Sequence, residues 1–181
     1  KNTSIMPRPV RGHIPLYVGG FGDKGLDRAV KYGDGYFGNI ELCGAYQQKL
    51  TAAGKDAAKA RMLVLNIFLV VAEDPDKATA EIAPYLHHVN NVYGVWLNED
   101  QYGQGTLQVN AVPQSMSLED FKKAGLLQIK TPDEAIAYFK DIQAQAPVEH
   151  FMLMVPPGLP LKKFAPYAEL FAKKVMPAFA K

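Results

Sequence analysis

The chain has 181 residues, of which 48% are hydrophobic and 21% charged, the composition of an ordinary globular domain. Its 20 Lys and Arg residues nearly balance 18 Asp and Glu residues and form no basic run, which argues against nucleic acid as a partner. A single cysteine excludes an intrachain disulfide framework, and the longest apolar run, residues 62–72, is too short to span a membrane. We therefore expect a soluble, cytoplasmic domain with no membrane partner.

Strands and helices alternate along the chain. Residues 62–72 are nearly continuous in apolar character, which is typical of a strand covered on both faces and favours a parallel sheet. Thr131, Pro132 and Glu134 form a capping box that predicts a sharp helix start, and Gly33 and Gly54 are expected to end helices, Gly33 as a left-handed cap. The predicted strands are residues 14–18, 36–37, 62–72 and 150–155. The predicted helices are residues 23–32, 41–53 and 56–60, a long helix from 74, then 117–123, 132–145 and 161–178.

This order predicts an α/β fold with a parallel sheet and right-handed crossovers, either doubly wound or part of a barrel. Four strands are half of an eight-stranded barrel, whose usual length is about 250 residues. Residues 97–114 lack periodicity and form a long loop insertion. No linker divides the chain, so residues 1–181 are predicted to be a single domain. Because the first residue is not Met, we expect that the natural chain continues upstream or was cut there.

The segment IPLYVGGFGDKGLDRAVKYGDGYFG carries most of the chemical signal. A strand that ends at Gly19-Gly20 and leads into a helix directs unpaired backbone N–H groups and the positive end of a helix into one small space, which suits a phosphate. The spacing matches neither a dinucleotide fingerprint nor a P-loop. From the residues alone, a tight βα turn with no ligand is about equally well supported.

The same segment, within PRPVRGHIPLYVGGFGDKGLDRAVKYGDGYFG, resembles bacterial-luciferase-like flavin-dependent monooxygenases. The similarity continues in order through VVAEDPDKA, TPDEAIAYF and EHFMLMVPPG, and so extends over nearly the whole chain. This resemblance implies a TIM-type (β/α)₈ barrel, of which these residues supply the C-terminal half, about four βα units. The first four strands, which carry much of the flavin and substrate surroundings in the family, have no counterpart here.

The resemblance also implies the activity and the site. The chain would belong to an oxidoreductase that uses reduced FMN and molecular oxygen on a small organic substrate, with a flavin reductase as a possible partner. The alternatives are a deazaflavin-dependent hydride-transfer oxidoreductase of the same superfamily, or a non-catalytic flavin-binding half barrel. We expect a homo-oligomer, because a half barrel has two open sheet edges. The implied cofactor-binding residues are Gly19, Gly20, Phe21, Gly22, Tyr36, Phe37 and Gly38.

Other reactive side chains give no comparable pattern. The four histidines have no metal-ligand spacing, and His87 and His88 are adjacent in a helix, where they face different directions. Cys43 begins a helix but has no neighbouring base, and His150 has no partner for proton transfer that the sequence identifies. The sequence therefore predicts no metal site and assigns no catalytic residue.

Overall fold

The computed structural model describes residues 6–20, 22–66, 68–98 and 114–180. The strands and helices of these residues largely follow the predicted order. The strands are β1 (Tyr17–Gly19), β2 (Gly35–Gly38), β3 (Met62–Asn66), β4 (Leu69–Val71), β5 (Gln128–Lys130) and β6 (Val148–Leu153). The helices are α1 (Gly22–Tyr32), α2 (Cys43–Ala52), α3 (Pro75–Asn98), α4 (Leu118–Lys123), α5 (Pro132–Gln145) and α6 (Leu161–Leu170). Most of the predicted loop insertion at 97–114 lies outside the described residues.

The main sheet is parallel throughout and has the strand order β1-β2-β3-β6. Each of its strands corresponds to one of the four predicted strands, and α1, α2 and α5 provide crossovers. This arrangement confirms the predicted α/β class with a parallel sheet.

The two faces of the main sheet have different surroundings. On one face, Val18, Tyr36 and Met62 pack into a buried cluster with residues of α1, α2 and α5, including Leu26 and Tyr46. We call the opposite side the open face. Its apolar residues are only half-buried or exposed: Tyr17, Phe37, Leu63, Leu65 and Met152.

The predicted strand at 62–72 is wrong as a single element. β3 ends at Asn66, whose side chain donates a hydrogen bond to the Tyr138 hydroxyl of α5 (3.2 Å), and β4 begins at Leu69 in a separate sheet. There β4 pairs in parallel with β5, a strand that the sequence analysis missed because it has only three residues, two of them polar. The apolar run is therefore long because it contains two strands, which belong to different sheets.

The helix ends test the predictions of local structure. The capping box at Thr131 is present, with reciprocal bonds between Thr131 and Glu134, so that prediction is confirmed. Gly54 has a φ of +72° and ends α2 as expected, whereas Gly33 is not left-handed. A Cβ on Gly33 would lie 2.8 Å from the carbonyl oxygen of Gly35, so the glycine permits a close backbone approach instead.

The last helix is also shorter than predicted. α6 ends at Leu170 and continues as a π-helical turn, Phe171–Val175, and a 3₁₀ turn, Met176–Phe179. Pro177, near the start of that last turn, has no backbone N–H to continue the α-helical ladder.

Candidate functional site

The carboxyl ends of β1 and β2 bring the predicted site residues together. Gly19 is paired with Phe37 in the parallel ladder, Gly20 follows β1, and Gly22 is the first residue of α1. Tyr36 and Gly38 belong to β2. Phe21 lies outside the described residues.

Gly20 lies where the end of β1 contacts the first turn of α1. Its φ is +153°, and a Cβ there would lie 2.9 Å from the Cα of Gly25. The contact is reciprocal, since a Cβ on Gly25 would lie 2.7 Å from the carbonyl carbon of Gly20. The two glycines thus allow the helix to pack directly on the end of the strand, and Gly20 has a structural function in this turn whether or not a ligand binds.

Tyr36 supports the turn from the helix-covered face of the sheet. The side chain is fully buried, its ring centroid lies 5.4 Å from that of Tyr46, and its hydroxyl donates a 2.9 Å hydrogen bond to the carbonyl oxygen of Gly20. Burial raises the pKa of Tyr36 to about 12, so the hydroxyl keeps its proton and remains a donor. A Cβ on Gly38 would lie 2.1 Å from the Tyr36 hydroxyl oxygen, so Gly38 provides the space that this ring occupies.

Phe37 and Gly19 are placed differently from Tyr36. They are neighbours on the open face, where a Cβ on Gly19 would lie 3.4 Å from the Phe37 ring. Of the described predicted residues, Gly19 and Phe37 therefore lie on the open face at this end of the sheet, and Gly20 and Gly22 form the turn into α1. Tyr36 and Gly38 shape this turn.

A positively charged side chain, Arg28, lies beside the turn. The Nη2 atom of Arg28 lies 3.4 Å from the position a Gly20 Cβ would take. The acidic residues of the same helix are paired elsewhere, because Lys49 lies 2.7 Å from Asp27 and 3.5 Å from Asp23. The hydrogen bond to Asp27 is the main reason that the pKa of Lys49 is raised.

The sequence analysis missed Arg28. The available signal was helical spacing, because Arg28 lies three residues after Gly25 and so shares the helix face that packs on the turn.

This turn has the features that a phosphate requires. The N–H groups of the first turn of α1 have no partners within the helix, glycines leave the approach free of side-chain atoms, and a guanidinium lies beside it. The residues present therefore fit the phosphate group of a flavin cofactor.

The other candidates for chemistry are less well placed. His150 is exposed, with its ring centroid 6.1 Å from that of Tyr17 on the open face. Cys43 is buried, and burial raises the pKa of its thiol, which opposes a nucleophilic role. Among the described residues there is no group of three potential metal ligands, and none of the described helices has the length and apolarity needed to cross a membrane.

Comparison with solved structures shows a similar fold in two F420-dependent enzymes and a monooxygenase. The chain superposes with a TM-score of 0.57 on an F420-dependent secondary alcohol dehydrogenase, at 20% identity, covering 93% of this chain and 50% of that one. For the coenzyme F420-dependent tetrahydromethanopterin reductase of Methanopyrus kandleri, the TM-score is 0.57 at 18% identity, with coverages of 92% and 51%. For the EDTA monooxygenase of Chelativorans sp. BNC1, it is 0.58 at 16% identity, with coverages of 94% and 47%.

The chain thus spans about half the length of these solved relatives, which agrees with the predicted half barrel. No curated protein gave a significant match in sequence. The family model for luciferase-like monooxygenases matches residues 1–149, well over half of the chain. The resemblance inferred from the glycine segment is confirmed, and the chain belongs to the luciferase-like monooxygenase family.

Proposed function

We propose that this chain forms the flavin-phosphate-binding half of a flavin-dependent monooxygenase that acts on a small organic substrate. The observation that carries the proposal is the glycine turn after β1, where Gly19, Gly20 and Gly22 meet the start of α1 beside Arg28. Reduced FMN, when bound, supplies the redox chemistry with molecular oxygen. The chain's own residues bind and orient the cofactor.

Each part of the site has a separate task in this proposal. The backbone N–H groups at the start of α1 and the Arg28 guanidinium hold the phosphate. Tyr36 keeps the turn in place through the carbonyl oxygen of Gly20. Phe37, Leu63 and Leu65 provide an apolar wall on the open face, which excludes water from one side of the bound ring system.

A deazaflavin-dependent hydride-transfer oxidoreductase is the second candidate. It is supported by the similarity to two F420-dependent enzymes, whose TM-scores equal that of the monooxygenase to within 0.01. The phosphate turn suits either cofactor, because both would approach through a phosphate. A non-catalytic flavin-binding half barrel would use the same turn without turnover.

Ligand affinity separates these candidates from a turn that has only a structural function. Titration of the chain with FMN and with riboflavin, followed by flavin fluorescence, compares two ligands that differ in the phosphate alone. We expect FMN to bind at least about tenfold more tightly, because a charge-assisted phosphate contact contributes about 1.4 kcal/mol or more. Equal affinity for the two ligands, or no binding of either, would overturn the phosphate assignment.

A matched pair of variants tests the guanidinium. Arg28→Met removes the charge beside Gly20 and should reduce the preference for FMN, whereas Lys31→Met on the last turn of the same helix should preserve it. A parallel titration with the deazaflavin coenzyme compares the affinities of the chain for the two cofactors. Oxygen consumption in the presence of reduced FMN and a flavin reductase, above the rate of the same mixture without the chain, then tests for turnover. Tighter deazaflavin binding with no oxygen consumption above that background would favour the second candidate.

A further inference from the structure

We propose that Lys49 of α2 is a positioning residue for the phosphate site at the start of α1. By pairing with Asp23 and Asp27, it keeps two carboxylates from repelling the anion and from competing with it for backbone N–H groups. Lys49 acts on the ligand only through these carboxylates. Its role therefore rests on the proposed function and extends it to a residue outside the glycine turn.

The charged residues at the start of α1 lie in two rows, one acidic and one basic. Asp23 and Asp27 are four residues apart, and so are Lys24 and Arg28. Residues at this spacing are neighbours on a helix surface, where like charges destabilise each other. A cation from another element that faces the acidic row would relieve this repulsion.

Lys49 supplies that cation from the neighbouring helix. Its Nζ lies 2.7 Å from Oδ1 of Asp27 and 3.5 Å from Oδ1 of Asp23. The two helices pack on each other in the buried cluster, which includes Leu26 of α1 and Leu50 of α2. The Lys49 side chain is 28% exposed, against 63% for Asp27 and 84% for Asp23. The lysine is thus the better packed partner, and it determines where the two carboxylates lie.

Asp23 is the member of the acidic row that can interfere most with a phosphate. It lies in the first turn of α1, whose N–H groups have no partners within the helix. A carboxylate at this place is attracted to the same N–H groups and to the positive end of the helix dipole. Without a cation beside it, this carboxylate would compete with the phosphate or repel it. The ion pair with Lys49 gives it a different partner.

Arg28 stays available to the anion because the carboxylates are paired with a residue of α2. Among the described residues, none of the ion pairs involves Arg28. Its Nη2 atom instead lies beside the turn, 3.4 Å from the position a Gly20 Cβ would take. Uncompensated carboxylates on the same helix would attract this guanidinium and reduce the positive potential around it. Lys49 thus preserves the charge on which the proposed phosphate affinity depends.

Flavin titrations of the full chain test this role through the ratio of FMN affinity to riboflavin affinity. Lys49→Met should lower this ratio about threefold at low ionic strength, because two carboxylates lose their counter-charge. Lys49→Arg keeps the charge and should keep the ratio. The matched control is Lys122→Met on α4, since the Lys122 side chain is 33% exposed and lies 2.9 Å from Glu119. This control should have the ratio of the wild type.

Removal of the carboxylates separates the charge of Lys49 from its packing. In a variant that combines Asp23→Asn and Asp27→Asn, Lys49 has no carboxylates to compensate, so adding Lys49→Met should leave the ratio nearly unchanged. The effect of Lys49→Met in the wild-type background should also shrink as salt is added, because the Debye length falls to about 3 Å at 1 M. A lysine that only held α2 against α1 would show neither response.

The wild-type ratio distinguishes a failure of the site from a failure of this role. Similar affinities of the wild type for FMN and riboflavin would overturn the phosphate site and the role of Lys49 together. A wild-type preference of at least about tenfold for FMN, with the same preference in Lys49→Met, would leave the site in place and overturn the role of Lys49 alone. An effect of Lys49→Met that persists in full without the two carboxylates would overturn it as well.

Discussion

The two ends of the main sheet differ in their contacts: side chains pair with one another at one end, and glycine backbone packs at the other. At the end where the strands begin, side chains bind one another: the Tyr17 hydroxyl donates a hydrogen bond to Glu149, and Arg61 Nε lies 2.9 Å from both oxygens of the same carboxylate. At the end where β1 and β2 finish, Gly19 and Gly20 carry no side chain, and the backbone of Gly20 packs directly against Gly25 of α1. The first end is closed by contacts between side chains, and the second is the place where we propose that a phosphate binds.

This difference follows the division of tasks in parallel α/β barrels. Active sites in such barrels lie at the carboxyl ends of the strands, while contacts at the amino ends contribute to stability. Changes at the amino end should therefore alter unfolding with little effect on flavin binding. Changes at the carboxyl end should alter both.

The largest effect is expected at Gly35, at the end of the sheet where the strands begin. The Tyr17 ring lies over this residue. A Cβ on Gly35 would lie 2.7 Å from that ring and 2.9 Å from the carbonyl oxygen of Arg61. Gly35→Val should lower the free energy of unfolding by about 3 kcal/mol in urea denaturation, because the backbone has no room to move away. Gly44→Ala is the control, since a Cβ there meets nothing within 4 Å and should leave stability unchanged or raised. A Gly35→Val protein as stable as wild type would contradict this packing.

Gly20→Val tests the carboxyl end. The new side chain would meet the Cα of Gly25 and would displace the Arg28 guanidinium of the proposed phosphate site, so we expect a loss of about 2 kcal/mol in stability. FMN binding should weaken at least about tenfold, while riboflavin binding changes less. The ratio of the two affinities is the informative quantity because it is independent of partial unfolding. An unchanged ratio in the folded variant would refute the phosphate site.

Tyr36→Phe separates support of the turn from direct contact with a ligand. The substitution removes the donor to the carbonyl oxygen of Gly20 and keeps the ring, so stability should fall by about 1 kcal/mol. FMN and riboflavin should both bind only a few-fold more weakly, about fivefold at most, because the turn loosens without losing any donor to the phosphate. Tyr46→Phe, on the ring beside it, is the matched control. A selective loss of FMN binding would instead place the Tyr36 hydroxyl at the phosphate.

The smallest effect concerns the pair between Arg61 and Glu149. Hydrogen bonding to Arg61 lowers the pKa of Glu149 below its ordinary value of 4.5. The unfolded chain therefore takes up this proton first as the pH falls, so the pair's contribution is fully present above pH 4.5 and is lost as the pH drops through the lowered pKa. Because both side chains are 37% exposed, Glu149→Gln should cost about 0.5–1 kcal/mol at pH 7.

Thermal denaturation as a function of pH provides the measurement. The stability difference between wild type and Glu149→Gln should shrink below pH 4.5, and FMN affinity at pH 7 should be the same for both proteins. A stability difference that grows as the pH falls would contradict the lowered pKa of Glu149.

The local features of this protein could be predicted from its sequence. Periodic apolar residues specified α1 and α5, and the capping box at Thr131 fixed the start of α5 because its hydrogen bonds join residues only three apart. The alternation of strands and helices indicated a parallel α/β half barrel, and the ordered resemblance along the chain identified the family. The glycine turn was found because its composition is unusual.

Only the tertiary structure decided what each glycine in that turn does. Gly20 and Gly25 touch because α1 packs on β1, and Gly38 is small because the Tyr36 ring lies over it. The division of residues 62–72 into two strands depended on β5, which lies far along the chain. The bond between Tyr17 and Glu149 joins residues 132 positions apart. Local hydrogen bonds and periodicity are properties of neighbouring residues, whereas these contacts exist only after distant elements have come together.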